Sequence, residues 1–366
     1  MSDILKKRVF VSDIHMSAGR SLLSGYQGSV YDWLNKAEAD SFASFLCYLK
    51  ERDDLEEVVL LGDLLDDWVH PIDQKPPTFM EVINAPQNQG IVNELKALCA
   101  NPSINVLYIP GNHHMFVKES FICKCFPGIV FGGQANNNAI FTTGRIHAEH
   151  GSSFAMFNAP DPTNDPRRRI PLGYYISRVV ATKATRTGVQ KRSYATYIDD
   201  FFETIGPERL AESVWEAVLE EANIRPTEDI IMQDSYGNDY TVTQNEIRTR
   251  YANLYDQWKE RVGTGMAIKA IMAEIGYLGD LEDNLYKKGN ARIVVFVHSH
   301  DYELDIDKWF VDDRIYANCG TWTGDGKPST WVETKHDKFN KIYTVCVKKW
   351  EDNRPIVIGK AKIIKL

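Results

Sequence analysis

No run of apolar residues in this 366-residue chain is long enough to cross a bilayer, because a spanning helix needs about 20 in succession. Met1 to Phe10 hold no apolar stretch of the signal-peptide kind and run straight into a strand pattern, so a cytoplasmic location is expected. Cysteine is sparse: six, at 47, 99, 123, 125, 319 and 346, without the paired spacing of a zinc site. Scattered in this way they read as small apolar side chains in a reducing compartment, not as a disulfide framework. Excess positive charge is missing too. With 42 Lys and Arg against 50 Asp and Glu, the net charge is −8, which disfavours broad non-specific nucleic-acid binding. Internal repeats and low-complexity tracts are likewise missing, which excludes a solenoid.

What remains is a soluble globular composition, 43% hydrophobic and 25% charged, in a chain too long for one small core. Strand patterns run over 8–12, 57–61, 105–109 and 145–148. Residues 292–297, RIVVFV, are almost wholly apolar, as in a strand buried on both faces. Helical spacing lies between the first three, with Phe42, Phe45, Leu46 and Leu49 in one helix and Ile91, Leu95 and Leu98 in the next. Strand and helix in alternation predict an α/β fold. From 152 to 290 the strand pattern lapses. Pro207 opens a helix through Asn223, and Thr243 with Glu246 forms a capping box. The helix that follows carries a stripe of Ile247, Tyr251, Leu254, Tyr255 and Trp258, read as core. Strands return over 314–317, 341–347 and 355–366. The expected organisation is an α/β core from residues 1–151 and 291–366, carrying a mostly helical insertion over 152–290 that can act as a lid.

Five polar clusters follow apolar strand patterns: Asp13-Ile14-His15, Gly62-Asp63-Leu64-Leu65-Asp66, Gly111-Asn112-His113, His150-Gly151 and His298-Ser299-His300. Ligands of an α/β sheet gather at the carboxyl ends of its strands. Side chains at i and i+2 share a face, so Asp13 with His15, and His298 with His300, can each approach one ion together. After its glycine, Asp63 can reach out to bridge two ions, and Asn112 offers a neutral carbonyl oxygen. Carboxylate, amide oxygen and imidazole together suit borderline divalent metals, with manganese expected and iron or zinc as alternatives. Two such ions about 3.5–4 Å apart clamp the attacking and leaving oxygens of a phosphoryl group and bring a bound water from pKa 15.7 towards roughly 7. His113 is the candidate acid for the leaving oxygen, and Asp66 is placed to orient its ring.

With those blocks in that order the chain resembles the calcineurin-like metallophosphoesterase superfamily, whose pattern is D-x-H, G-D-x-x-D, G-N-H-[DE], H-G and [GA]-H-x-H. The resemblance spans Asp13 to His300, outside the insertion. It implies a four-layer αββα sandwich. It also implies one metal held by Asp13, His15, Asp63 and His300 and another by Asp63, Asn112, His150 and His298. The layout is most similar to the UDP-2,3-diacylglucosamine diphosphatase branch, on Gly62 to Trp68, the large insertion and Asn318-Cys319-Gly320-Thr321-Trp322. That branch carries Arg where this chain has His113. His114 stands where the superfamily has an acid, and Val297 where it has glycine or alanine.

Of the remaining histidines, His147 is expected to pack within or against the sheet, and His70 and His336 to be solvated. Asp67 is assigned to the surface or to support of the site. Residues 161–192 hold eight basic and two acidic residues in an acidic protein. Arg167, Arg168 and Arg169 are candidate contacts to a phosphate or an anionic surface, with His114 a further candidate contact to substrate. The expected function is hydrolysis of a phosphomonoester or pyrophosphate in a nucleotide- or lipid-linked substrate, with peripheral membrane contact through the insertion left open. The competing readings are a nuclease of the same superfamily and a metal-binding scaffold without turnover.

Overall fold

The computed structural model describes residues 6–19, 34–132, 139–159, 170–187, 195–234, 237–278, 291–308, 313–324, 326–337 and 342–364. Before the insertion come β1 (Lys7–Val11), β2 (Leu55–Leu61), β3 (Asn105–Ile109), β4 (Val130–Phe131), β5 (Ile140–Thr143) and β6 (Ile146–Glu149). A hairpin of β7 (Ile230–Gln233) and β8 (Asp239–Val242) lies within it. After it come β9 (Ile293–Phe296), β10 (Tyr302–Lys308), β11 (Asp313–Cys319), β12 (Thr330–Asp337), β13 (Ile342–Glu351) and β14 (Arg354–Ile364). They build a seven-stranded sheet in the order β14-β13-β12-β1-β2-β3-β4 and a five-stranded sheet in the order β10-β11-β9-β6-β5. β1, β2 and β3 run parallel in the first sheet, and β6, β9 and β11 in the second.

The continuous apolar runs of these strands follow from burial on both faces. In β2, Val59 and Leu61 point between the two sheets, where they meet Ile146, Val295 and Ala317. Their neighbours Val58 and Leu60 point the other way, towards a layer of helices. That layer is α1 (Lys36–Lys50), α2 (Phe79–Asn84), α3 (Gln89–Cys99) and α4 (Glu119–Cys125). Asn35 starts α1 by accepting the Ala37 and Glu38 N–H groups, which satisfies donors that have no partner within the helix. Phe42, Phe45, Leu95 and Leu98 then fill the space over β1 and β2.

The insertion contributes α5 (Leu172–Thr187), α6 (Ala195–Thr204), α7 (Leu210–Glu221), α8 (Gln244–Tyr251), α9 (Leu254–Val262) and α10 (Thr264–Met272). Helix α5 is buried around nearly its whole circumference, Arg178 included. Thr243 and Glu246 form the expected capping box at α8. The aromatic stripe read as one helix is divided between α8 and α9 by a turn at Ala252-Asn253, and both halves still enter one core with Trp215 and Tyr175. Ala273 and Leu278, beyond α10, pack on Val294, Phe296 and Tyr316 of the smaller sheet. The turn after α10 thereby covers the outer face of the smaller sheet, and the mixed α/β architecture agrees with the sandwich that the resemblance implies. β10 escaped the sequence reading because it is a charged edge strand, with exposed Glu303 and Asp305. Among the described residues no helix is long and apolar enough to cross a membrane.

Candidate metal centre

Five of the seven ligand candidates have a backbone that L-residues rarely adopt: φ is 53° at Asp13, 53° at His15, 45° at Asp63, 77° at His298 and 61° at His300. Such conformations cost about 1–3 kcal/mol each and persist only where surroundings hold them. Here the loops hold one another. The N–H groups of Ile14 and His15 donate to the Asp63 carbonyl at 3.0 and 2.8 Å. The Asp13 carbonyl accepts from the Trp322 N–H and the Thr321 hydroxyl, each at 3.1 Å. Asn318 donates to Ser299 Oγ at 3.0 Å. The Asn318–Trp322 segment is thus the frame of the loops that carry Asp13 and His298.

Among the described residues, three groups of side chains could hold a cation: Asp13, His15 and His300; His15, Asp63 and His113; and Asp63, His150 and His298, with ligand atoms in each within 4.8 Å of one another. Asp63 is in two of them. The donor set fits divalent ions, because lone pairs face lone pairs. His15 gives its Nδ1–H to Asp66 at 2.9 Å, which turns Nε2 towards His300 Nε2 at 3.2 Å. His150 gives its Nδ1–H to the Leu61 carbonyl at 3.1 Å and turns Nε2 towards Asn112 Oδ1 at 3.0 Å and Asp63 Oδ2 at 3.1 Å. Asp13 Oδ1 and Asp63 Oδ2 are buried and accept no hydrogen bond. Buried oxygens without donors are costly unless a cation is their partner.

Protonation reflects the same crowding. Burial opposes charge on His15, yet the neighbouring carboxylates of Asp13, Asp66 and Asp63 outweigh it and raise its pKa to about 10, so a cation bound at Nε2 would displace a proton. Burial, followed by the charge of His150, lowers His298 to about 3. For Asp13 burial acts upwards, but the histidines around it hold its pKa well below the usual carboxylate range.

Two glycines make room for this convergence. A Cβ on Gly62, whose φ is +94°, would meet His150 Nδ1 at 2.2 Å, and one on Gly111 would meet Asp63 Oδ1 at 2.2 Å. Gly62 supplies the turn that frees Asp63. In the fold it also admits a histidine from the other sheet.

Asp66 joins two rings. Its Oδ2 accepts from His15 Nδ1 and His113 Nδ1, each at 2.9 Å, while its Oδ1 accepts the Trp68 N–H at 2.8 Å. Trp68 then stacks on His113, centroids 4.1 Å apart at 22°. Helix α5 reaches this stack through Tyr174, 5.7 Å from Trp68 in edge-to-face contact. No spacing in the sequence marks that link.

Other candidates stand apart. His114 is fully buried, its Nε2 accepting the Gly111 N–H and its Nδ1–H donating to the Leu65 carbonyl, each at 3.1 Å. It braces the loop and has no nitrogen left for a substrate, contrary to expectation. Arg167, Arg168 and Arg169 lie outside the described residues. Among the described residues, their basic neighbours Arg178, Lys183 and Arg186 are engaged within the protein. Arg178 is fully buried and donates to the carbonyls of His70, Pro71, Gln74 and Ile231 at 3.0, 2.9, 2.8 and 3.0 Å. Lys183 pairs with Glu221, and Arg186 with Glu228 at 2.6 Å. His70 is buried under the insertion and not solvated, because Arg178 draws its loop inward. His147 bonds Glu149 at 2.7 Å on β6, so His150 and not His147 joins Asp63 and His298.

Two further residues went unnoticed in the sequence. Asn158 accepts from Asn112 Nδ2 at 3.2 Å and donates to Glu274 Oε2 at 2.6 Å.

Comparison with known proteins places this geometry. The model of the family described as calcineurin-like phosphoesterase matches residues 6–175, which hold Asp13, Asp63, Asn112 and His150. The superfamily resemblance is thereby shown, while the diphosphatase branch is not reached by that match. A comparison with curated proteins finds no match. Vacuolar Protein Sorting 29 of Cryptosporidium parvum is similar at 11% identity and a TM-score of 0.34, covering 99% of this chain and 100% of its own. A single mutant of Vps29 from Entamoeba histolytica is similar at 9% and 0.33, covering 97% and 98%. A predicted phosphoesterase from Streptococcus pneumoniae is similar at 9% and 0.29, covering 98% and 96%.

Proposed function

We propose that this protein is a dinuclear, divalent-metal-dependent phosphoester hydrolase acting on a phosphomonoester or pyrophosphate of a nucleotide- or lipid-linked substrate. The observation that carries this reading is Asp63. Its buried Oδ2 accepts no hydrogen bond and lies among His15 on one side and His150 on the other, at 3.9 and 3.1 Å. Asp13, His15 and His300 would hold one cation with Asp63, and Asn112, His150 and His298 the other. Manganese is the first choice for this donor set. Bound there, the pair would polarise phosphoryl oxygens and acidify water.

The protein's own groups do the rest. His298 and His300 are half-buried whereas Asp13, Asp63 and His15 are buried, so a phosphoryl group approaches from the histidine side. Asp66 fixes the Nδ1–H of His113, which leaves Nε2 to carry a proton to the leaving oxygen. The stacked Trp68 restricts ring rotation and excludes water from one face. Engagement of Arg178, Lys183 and Arg186 within the insertion leaves them unavailable to a nucleic-acid backbone, which favours a small substrate over a polymer.

The test strips the protein with EDTA, returns manganese, and assays para-nitrophenyl phosphate beside its bis ester. Restored turnover of the monoester is expected. Turnover of the bis ester alone would make the enzyme a phosphodiesterase. No turnover with any divalent cation would return the fold to a scaffold.

A further inference from the structure

Asn112 and Glu274 belong to different parts of the molecule, a loop after β3 and the turn that closes the insertion, yet one side chain joins them. We infer that Asn158 is a positioning residue for Asn112, and that Glu274 sets its orientation. The inference rests on the metal-centre reading above.

An amide is useful to a cation only through its oxygen. Turned over, it offers an NH2 group that repels the ion. Asn112 therefore needs something that chooses between its two orientations. Glu274 supplies the choice by elimination. A carboxylate offers acceptors only, so the amide group of Asn158 must present Nδ2 to it, as it does at 2.6 Å. Glu274 is itself fixed, since Oε1 accepts the backbone N–H groups of Phe157 and, at 3.1 Å, Asn158. With its Nδ2 committed, Asn158 can present only Oδ1 to Asn112, and it accepts Asn112 Nδ2 at 3.2 Å. Asn112 Oδ1 is thereby left facing His150 Nε2, at 3.0 Å.

The relay is closely packed. Asn158 is buried at 3% exposure. Gly173 of α5 lies against it, donating its N–H to the Phe157 carbonyl at 2.8 Å, and a Cβ there would meet Asn158 Oδ1 at 2.6 Å. The insertion thus reaches a metal ligand through a chain of donors and acceptors whose polarity is set at its far end. Partners of this kind, one bond removed from the metal, typically change metal affinity by about 10–100-fold.

The polarity itself can be tested in the full-length protein by manganese calorimetry after EDTA treatment, with melting temperatures in EDTA alongside. Glu274→Gln puts an NH2 group against the NH2 of Asn158, which must then turn over and take Asn112 with it. Manganese binding at one of two sites should weaken by about 10-fold or more, with the other site unchanged as an internal control. Asn158→Asp sets two carboxylates together and should weaken the same site. Combined, the two substitutions restore a donor facing an acceptor and leave an oxygen for Asn112 Nδ2. The double variant should recover to within about threefold of the wild-type affinity, because coupled residues are not additive.

Wild-type binding of both ions by Glu274→Gln overturns the inference. So does a double variant that melts like wild type in EDTA yet binds no better than the single variants. If Glu274→Gln does not fold, Asn158→Asp and the double variant make the same comparison. A wild-type protein that takes up no manganese overturns the metal-centre reading, and the relay with it.

Discussion

Strand β1 has a cluster of charge at each end, half-buried at one and buried at the other, and the two are built on opposite plans. Near Lys7, Glu333 and Asp54 each have cations from the chain. Glu333 meets Arg52 at 2.6 Å and Lys348 at 2.8 Å, and Asp54 meets Lys7 at 2.6 Å and Arg52 at 2.8 Å. Past Val11, Asp13 and Asp63 face only histidines, and each keeps a buried oxygen without a hydrogen bond. Isolating a charge from water costs several kcal/mol unless a partner offsets it. A carboxylate whose partner is encoded in the same chain is part of the structure. One whose partner is missing from the chain is what a cation from outside would pair with under the proposed function.

That contrast can be broken first at the centre. Asp63→Asn should lower kcat by on the order of 10³, the several kcal/mol that a bound cation contributes, with no loss of melting temperature in EDTA. Kinetics and thermal melts on one preparation check both halves. A variant with unchanged kcat would end the bridging role.

At the other end, Glu333→Ala should do the reverse. It strands Lys348, leaves Arg52 with Asp54 alone, and should destabilise the fold by about 1–3 kcal/mol, with kcat per folded molecule and manganese binding unchanged. Urea unfolding measures the loss, and a loss of metal affinity instead would erase the distinction between the two clusters.

His113→Ala sharpens the assignment within the centre. It should cost about 100-fold with a poor leaving group and much less with para-nitrophenolate, since acid catalysis matters less when the leaving oxygen is already stable. A leaving-group series decides this, and equal losses throughout would remove His113 as the acid.

The smallest effect is in pH. Burial raises the pKa of Glu333, but Lys348 and Arg52 outweigh it and leave the pKa below the usual glutamate range. A carboxylate with a depressed folded pKa contributes stability above its unfolded pKa, and that contribution fades as pH falls. The gap in melting temperature between wild type and Glu333→Gln should therefore narrow from pH 6 to pH 3. A gap that widens on acidification would contradict the pairing.

Much of the centre was legible because it is written locally. Asp13 and His15 are two residues apart past an apolar strand and share one group, whereas His298 and His300, spaced alike past β9, fall in different groups, contrary to the strand alternation expected of them. Periodicity exposed β2 and β3 for the same reason. What stayed hidden depends on partners distant in sequence. His113 and His114 are adjacent, but one faces Asp66 in the centre and the other is closed within its own loop. Arg178 is one of the eight basic residues counted over 161–192 and is a buried clamp, because its acceptors are carbonyls of a loop 104 to 108 residues earlier and of β7, 53 residues later. Asn158 and Glu274 are 116 residues apart, and neither stands in a pattern that spacing can reveal.

Residue type and order alone pointed to the side chains proposed to carry the chemistry, since a set of carboxylates, imidazoles and an amide placed after apolar strands has few other uses. Tertiary structure decided which of them are left without partners. Burial and hydrogen bonding are assigned only when the two sheets close on one another and the insertion folds back. Those same contacts separate Asp63, kept open for a cation, from Glu333, already neutralised by its neighbours.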